Sequence, residues 1–259
     1  MVCDYQGAAG HPFLRFDSAL VLVFHGSRDP RPQAAMEKLA HLLQQRLAVP
    51  IPIGIAALEL ATQPLHWQLY EFAAVAAAQG FDRLQIVPLF LLPGVHVMED
   101  IPTELALTQQ ILKQKITLEL RPYLGSHPQL APLLAAQIPD STQNRILLAH
   151  GSCRPGGNQS VATLADQLNA LPAYWSVPPT LKTRLEELVQ QDQRQVTIVP
   201  YFLFRGGITD AIAQMVEQLA EEFPSLTLQL ANPIGPTPEL LQRVLDLLAP
   251  RPTLNDTPV

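Results

Sequence analysis

The chain has 259 residues, is 47% hydrophobic and carries a formal net charge of −6. That is enough length for two ordinary domains or one large one, and enough apolar side chain to bury a core. No basic stripe marks a nucleic-acid partner, no apolar run approaches the ~18 residues of a membrane helix, and no basic end with an apolar stretch marks a secretion signal at the start. Cys3 and Cys153 are too few for a disulfide framework, so a reducing cytoplasm is the expected location.

In chain order, a short apolar strand is predicted near 19–24 and runs into His25-Gly26-Ser27-Arg28. A helix over 34–47 follows, with apolar residues at Met36, Leu39, Leu43 and Leu47. A strand near 51–57 leads to Leu58-Glu59-Leu60-Ala61, and an alanine-rich helix over 65–79 stops at Gly80. A strand near 84–90 leads through Pro93-Gly94 to His96, then a helix over 104–114 and a strand near 116–121. These strands are apolar without sustained alternation, as parallel strands covered on both faces are.

The order then repeats. Strands are predicted near 145–149, 172–177, 195–203 and 225–230, and helices near 158–169, 179–191, 209–222 and 237–248. His150-Gly151-Ser152-Cys153 repeats His25-Gly26-Ser27-Arg28, and Ile198-Val199-Pro200 repeats Ile86-Val87-Pro88. Leu124-Gly125-x-x-Pro128 returns as Ile234-Gly235-x-x-Pro238. The expected fold is α/β: two similar, open, doubly wound parallel-sheet domains from an internal duplication. The expected boundaries are 1–138 and 145–259, with the polar, turn-rich segment 139–144 as linker and loosely ordered ends at 1–16 and 250–259.

In an open parallel sheet, ligands bind beyond the carboxyl ends of the strands. His25, Glu59 and His96 all follow strand ends of the first half, so they are expected at one edge. Two imidazoles and a carboxylate there can bind a divalent first-row metal or move protons near neutral pH. The second half keeps His150 but has Ile208 where His96 stood, and Glu59 falls opposite the neighbourhood of Trp175. The working site is therefore expected in the first half. Glu99 and Asp100 are read as helix-capping residues, with orientation of His96 as the alternative. Cys153 is read as a small buried turn residue. His11, His41, His66 and His127 are read as structural or surface groups. Neither Ser27 nor Ser152 lies in a G-x-S-x-G elbow, and no phosphate loop or dinucleotide fingerprint is present.

At His25-Gly26-Ser27-Arg28-Asp29-Pro30, Leu58-Glu59-Leu60-Ala61, Val87-Pro88-Leu89-Phe90-Leu91 and Gly94-x-His96, the chain resembles the sirohydrochlorin chelatase family, of the CbiX and SirB type. The duplication matches the long, two-domain form. The resemblance implies ATP-independent insertion of Fe²⁺ or Co²⁺ into sirohydrochlorin, a lyase step on the routes to siroheme and cobalamin. It implies a chelatase-like fold with a cleft between the halves, His25 and His96 as metal ligands, and Glu59 as the acidic residue beside them. The metal is then a co-substrate, with no permanently bound cofactor.

Sirohydrochlorin carries many carboxylates, so the cleft should offer cations, and arginine's fork suits them. Arg28, Arg31, Arg154 and Arg205 are the expected substrate-binding residues, with Ser27. Arg205 occupies the loop equivalent to that of His96. The alternatives are a non-catalytic metal or tetrapyrrole carrier on the same scaffold, and a chelatase for another ring. Ligand type does not choose between iron and cobalt. A monomer is expected, because a duplicated chain contains the pairing that a half-length protein needs from a dimer.

Overall fold

The computed structural model describes residues 18–47, 49–113, 115–138 and 144–248. The segments expected to be loose ends, Cys3, His11 and most of the expected linker (139–143) lie outside them. Ile138 is buried, and Asn144 opens a strand.

The first half runs β1 (Ser18–Phe24), α1 (Pro30–Arg46), β2 (Ile53–Ala57), α2 (Leu65–Ala78), β3 (Arg83–Pro88), α3 (Ile101–Leu112), β4 (Thr117–Leu120) and α4 (Leu130–Ala135). The second runs β5 (Asn144–Ala149), α5 (Gln159–Gln167), β6 (Leu171–Tyr174), α6 (Leu181–Gln190), β7 (Gln195–Pro200), α7 (Gly207–Glu222), β8 (Thr227–Leu230) and α8 (Pro238–Leu248). The strands form two parallel four-stranded sheets, ordered β2-β1-β3-β4 and β6-β5-β7-β8. The α/β expectation is thus borne out. In each sheet the chain winds outward from the first strand, then crosses back, which places a switch point between β1 and β3 and another between β5 and β7.

Among the differences from expectation, two boundaries and one additional helix have clear physical reasons. α1 starts at Pro30 because Asp29 caps it, accepting from the Arg31 amide at 2.9 Å, with proline in the first turn. β7 leaves the ladder after Pro200 because its neighbours end: β5 stops at Ala149 and β8 at Leu230. The helix α4 was not anticipated; six residues containing Pro132 carry too little periodicity to read.

The halves share one core. On the first sheet, α2 and α3 cover the face bearing Ala19, Val21, Val23 and Ile86. The other face, with Leu20, Leu22 and Val87, belongs to a cluster holding Met36 and Leu39 of α1 together with Leu240 and Val244 of α8. α8 packs directly on β3 and α1, while α4 packs on α5. Each half therefore lends its last helix to the other. Polar contacts follow the exchange. Arg121 Nε donates to the Leu247 carbonyl at 2.9 Å, and Tyr201 Oη donates to the Leu91 carbonyl at 3.1 Å. Burial pushes the Tyr201 phenol up. His127, buried, sits 3.3 Å from Asp246, and desolvation outweighs that carboxylate and lowers its pKa.

Two ion pairs also cross between the halves. Arg31 is held by Asp29 beside it and by Asp210 in the first turn of α7. Hydrogen bonds from Arg31 pull the Asp29 carboxyl down to about 2. On the other side, Arg154 Nη1 lies 3.6 Å from Glu99 Oε1. Among the described residues no helix is long and apolar enough to cross a membrane.

Candidate metal centre

His25 leaves the end of β1 beside Gly26, which has φ +96°. A Cβ on Gly26 would sit 1.9 Å from the Glu59 carbonyl oxygen, so only glycine lets the two loops meet there. The contact is fixed by backbone hydrogen bonds from the Leu58 amide to the Phe24 carbonyl (2.9 Å) and from the Glu59 amide to the His25 carbonyl (2.8 Å). His96 opens a five-residue π-helical turn, His96–Asp100, that runs into α3. Such turns bring residues four apart into close register.

The three side chains meet across the switch point between β1 and β3. His25 Nε2 lies 3.8 Å from Glu59 Oε2, and His96 Nε2 lies 3.9 Å from Glu59 Oε1. The imidazole rings are 5.1 Å apart, edge to face. Both tautomers follow from the partners. His25 Nδ1 faces the Gly26 carbonyl at 3.1 Å, and His96 Nδ1 faces Asp100 Oδ2 at 2.7 Å. Each partner only accepts, so each Nδ1 is the donor, and in the neutral imidazole the lone pair is then on Nε2. Three lone-pair donors thus converge at separations too long for hydrogen bonds, an arrangement that a cation satisfies. A first-row ion with bonds of about 2.1 Å would hold neighbouring ligand atoms roughly 3.0–3.4 Å apart, so small side-chain shifts close the set. Three protein ligands leave coordination positions open, as catalytic sites do and closed structural sites do not. The Phe90 ring backs both imidazoles, 6.5 Å from His25 and 6.1 Å from His96.

Among the described residues this is the one grouping of three His, Cys, Asp or Glu side chains able to hold a metal. The second half repeats its backbone without its chemistry. His150 Nδ1 faces the Gly151 carbonyl at the same 3.1 Å. The Trp175 amide bonds the Ala149 carbonyl and the Ser176 amide bonds the His150 carbonyl. The structural counterpart of Glu59 is therefore Ser176, within the expected neighbourhood of Trp175, and its hydroxyl donates back to the His150 carbonyl at 2.8 Å. The Leu89 and Tyr201 amides take equivalent places, bonding the Val23 and Leu148 carbonyls, and the same count onward from each reaches His96 and Ile208.

Two further expectations change. Asp100 makes no capping hydrogen bond to α3; it accepts from His96 instead. Glu99 pairs with Arg154 of the other half rather than capping. Cys153 is exposed, not buried. Of the expected substrate-binding residues, Ser27 shapes its own turn by accepting from the Asp29 amide at 3.0 Å. Arg28 is exposed and makes no ion pair among the described residues. Arg31 is engaged by its two aspartates. Arg205 donates to Asn232 Oδ1 and lines a cavity of about 560 Å³ with Arg31, Phe204 and Ile234; no triad residue lines that cavity.

A family model described as CbiX matches residues 19–141 and again residues 144–250. The chain belongs to the CbiX family. The two matched stretches are the two halves of the duplication. A sirohydrochlorin ferrochelatase of Priestia megaterium is 27% identical to this CbiX chain over 232 residues, covering 84% of each. A sirohydrochlorin cobaltochelatase of the same organism is 22% identical over 239 residues, covering 86% of this chain and 76% of its own. The solved structure of SirB from Bacillus subtilis with Fe³⁺ shares the fold, with a TM-score of 0.74 at 23% identity over 89% of this chain and 94% of that one.

The Asp100 contact is testable in this CbiX chain. A carboxylate behind a ligating imidazole fixes its tautomer and raises its basicity. Asp100→Ala is expected to weaken Co²⁺ binding roughly 10- to 100-fold while leaving the circular dichroism spectrum unchanged. Unaltered Co²⁺ affinity in a titration followed by absorbance would remove Asp100 from the account.

Proposed function

We propose that this chain inserts Fe²⁺ or Co²⁺ into sirohydrochlorin without ATP, on the routes to siroheme or cobalamin, and that its centre is His25, His96 and Glu59. The observation that carries the reading is the convergence of two free Nε2 lone pairs and one carboxylate, with coordination positions left open. The names of the ferrochelatase and cobaltochelatase relatives support the same reaction class. The ion is a substrate, delivered and released in each turnover.

The reaction takes a free macrocycle and a divalent ion to the metallated ring and two protons. His25 and His96 hold the ion, and the Glu59 carboxylate offsets part of its charge. As the ring nitrogens replace the protein ligands, two pyrrole N–H protons must leave. Glu59 and the imidazoles vacated by the ion are the bases in place to take them. Fixed Nδ1 partners keep both Nε2 atoms aimed at that exchange.

The ring's carboxylates need cations at the cleft. Among the described residues Arg28 has no competing ion pair and the Arg154 side chain has only an exposed pair with Glu99, so both can turn to the substrate. Arg205, bound to a neutral amide, keeps its charge available to a carboxylate arm entering its cavity. Arg31 is instead read as a clasp between the halves. Arg205→Ala is expected to raise KM for sirohydrochlorin roughly tenfold at similar kcat, the signature of lost ground-state binding. An unchanged KM would leave the cavity outside the substrate site.

The repeats 1–138 and 145–259, joined through 139–144, are read as units of sequence whose exchanged helices make one folded body. We place that body in the cytoplasm as a monomer. A carrier on the same scaffold is the second reading. Anaerobic absorbance of sirohydrochlorin with Fe²⁺ or Co²⁺, with and without protein, separates them. Accelerated, multiple-turnover conversion supports the enzyme, and binding without acceleration supports the carrier.

A further inference from the structure

Leu60 follows Glu59 directly and has φ +58°, a left-handed conformation that leucine rarely adopts because Cβ crowds the following carbonyl. The residue is 56% exposed, on the loop that carries the triad carboxylate. Both features are unfavourable for the free protein, and neither recurs at the equivalent position of the second half. The counterpart residue, Val177, has no positive φ. Its side chain turns inward: a Cβ on Gly151 would meet Val177 Cγ2 at 2.8 Å, and Val177 packs against the shared core. At Gly26 the corresponding neighbours are the Glu59 carbonyl and Ala57 Cβ, not Leu60. The left-handed turn has released Leu60 from the packing that its counterpart keeps.

Strain of this kind persists where the surroundings make use of it. We propose that Leu60 is an apolar seat for the face of the macrocycle, setting the ring's height above His25, His96 and Glu59. This rests on the chelatase reading. A flat tetrapyrrole has a carboxylate rim and an apolar face. Metal transfer needs that face parallel and close to the two Nε2 atoms, and the polar triad offers it no dispersion contact. An exposed leucine beside Glu59 supplies one, becoming buried when the ring arrives. Leu60 is thus a substrate-positioning residue, and it makes no contribution to holding the ion.

The test uses the full chain with Leu60→Asn, which tolerates the left-handed backbone, Leu60→Gly, which removes the strain, and Leu60→Met, which keeps apolar bulk. In anaerobic conversion of sirohydrochlorin by Co²⁺, KM is expected to rise roughly tenfold in the Asn and Gly variants and to stay within about twofold of wild type in the Met variant. Co²⁺ affinity without the ring is expected to stay unchanged in all three. Melting temperatures of the Asn and Gly variants are expected at or a few degrees above wild type, since an exposed, strained leucine contributes little to the fold. Wild-type KM in Leu60→Asn, or a KM increase matched by loss of Co²⁺ binding, overturns the seat while leaving the chelatase reading intact. A wild-type chain that turns over no sirohydrochlorin overturns the chelatase reading, and the seat with it.

Discussion

Replacing Val244 with aspartate is expected to unfold both halves of the molecule together. Val244 lies on α8 at 0% exposure, in the cluster that also holds Leu20, Leu22 and Met36 of the first half and Leu147 and Val199 of the second. A carboxylate there has no partner and loses its water, which costs about 4–5 kcal/mol or more. That is about a third or more of the roughly 5–15 kcal/mol by which folded domains are stable. Because α8 covers β3 while α4 packs on α5, the damage cannot stay in one half. The chain offers one reporter in each, Trp67 on α2 and Trp175 just after β6. In single-tryptophan versions, urea unfolding followed at either site should give one coincident transition, and Val244→Asp should shift both equally. A shift at one tryptophan alone would show that the halves fold independently despite the exchanged helices.

Removing either imidazole of the centre is expected to abolish chelation. His25→Ala or His96→Ala leaves two donors, one of them the 49% exposed carboxylate of Glu59. Changing a residue behind a ligand typically costs 10- to 100-fold, so losing the ligand itself should lower metal affinity and conversion rate by roughly 100-fold or more. Glu59→Gln should separate the two roles. It keeps a neutral oxygen donor but cannot take a proton, so the rate should fall by roughly 100-fold or more with a smaller loss of Co²⁺ affinity. Equal losses of affinity and rate in Glu59→Gln would mean that Glu59 acts as a ligand only. Since none of the three side chains packs in the core, the melting temperatures of all three variants should stay near that of wild type.

The parallel sheets were legible because buried strands read as uninterrupted apolar runs, and the duplication because His-Gly-Ser and Leu-Gly-x-x-Pro recur in register. The triad was legible for a topological reason: β1, β2 and β3 are adjacent, so residues leaving their carboxyl ends must share an edge. What periodicity does not contain is which neighbour a helix chooses. α8 has a strongly apolar face, yet nothing in its sequence says that the face meets the first sheet rather than the second. The counterpart of Glu59 was legible only to the neighbourhood of Trp175 because β6 is short and carries Pro172, so its pattern fixes no register; backbone hydrogen bonds do, at Ser176. Asp100 was readable in principle. A carboxylate four residues after a histidine on a helix can reach its ring, but the π-helical turn that brings Oδ2 to 2.7 Å leaves no mark in composition. Leu60 shows the same limit more sharply, since its left-handed backbone is invisible in the string Leu58-Glu59-Leu60.

On the proposed function, one half of a duplicated chain does the chemistry. His25 and His150 hold equivalent backbone positions, each with Nδ1 3.1 Å from the next residue's carbonyl, but the Ser176 hydroxyl also lies 3.5 Å from His150 Nδ1, and only His25 has Glu59 and His96 around its Nε2. The decisive measurement is the rate of anaerobic Co²⁺ insertion into sirohydrochlorin by His25→Ala and His150→Ala, side by side with wild type. The account predicts loss of activity in His25→Ala and the wild-type rate in His150→Ala. A comparable loss in His150→Ala, or retained activity in His25→Ala, would contradict it.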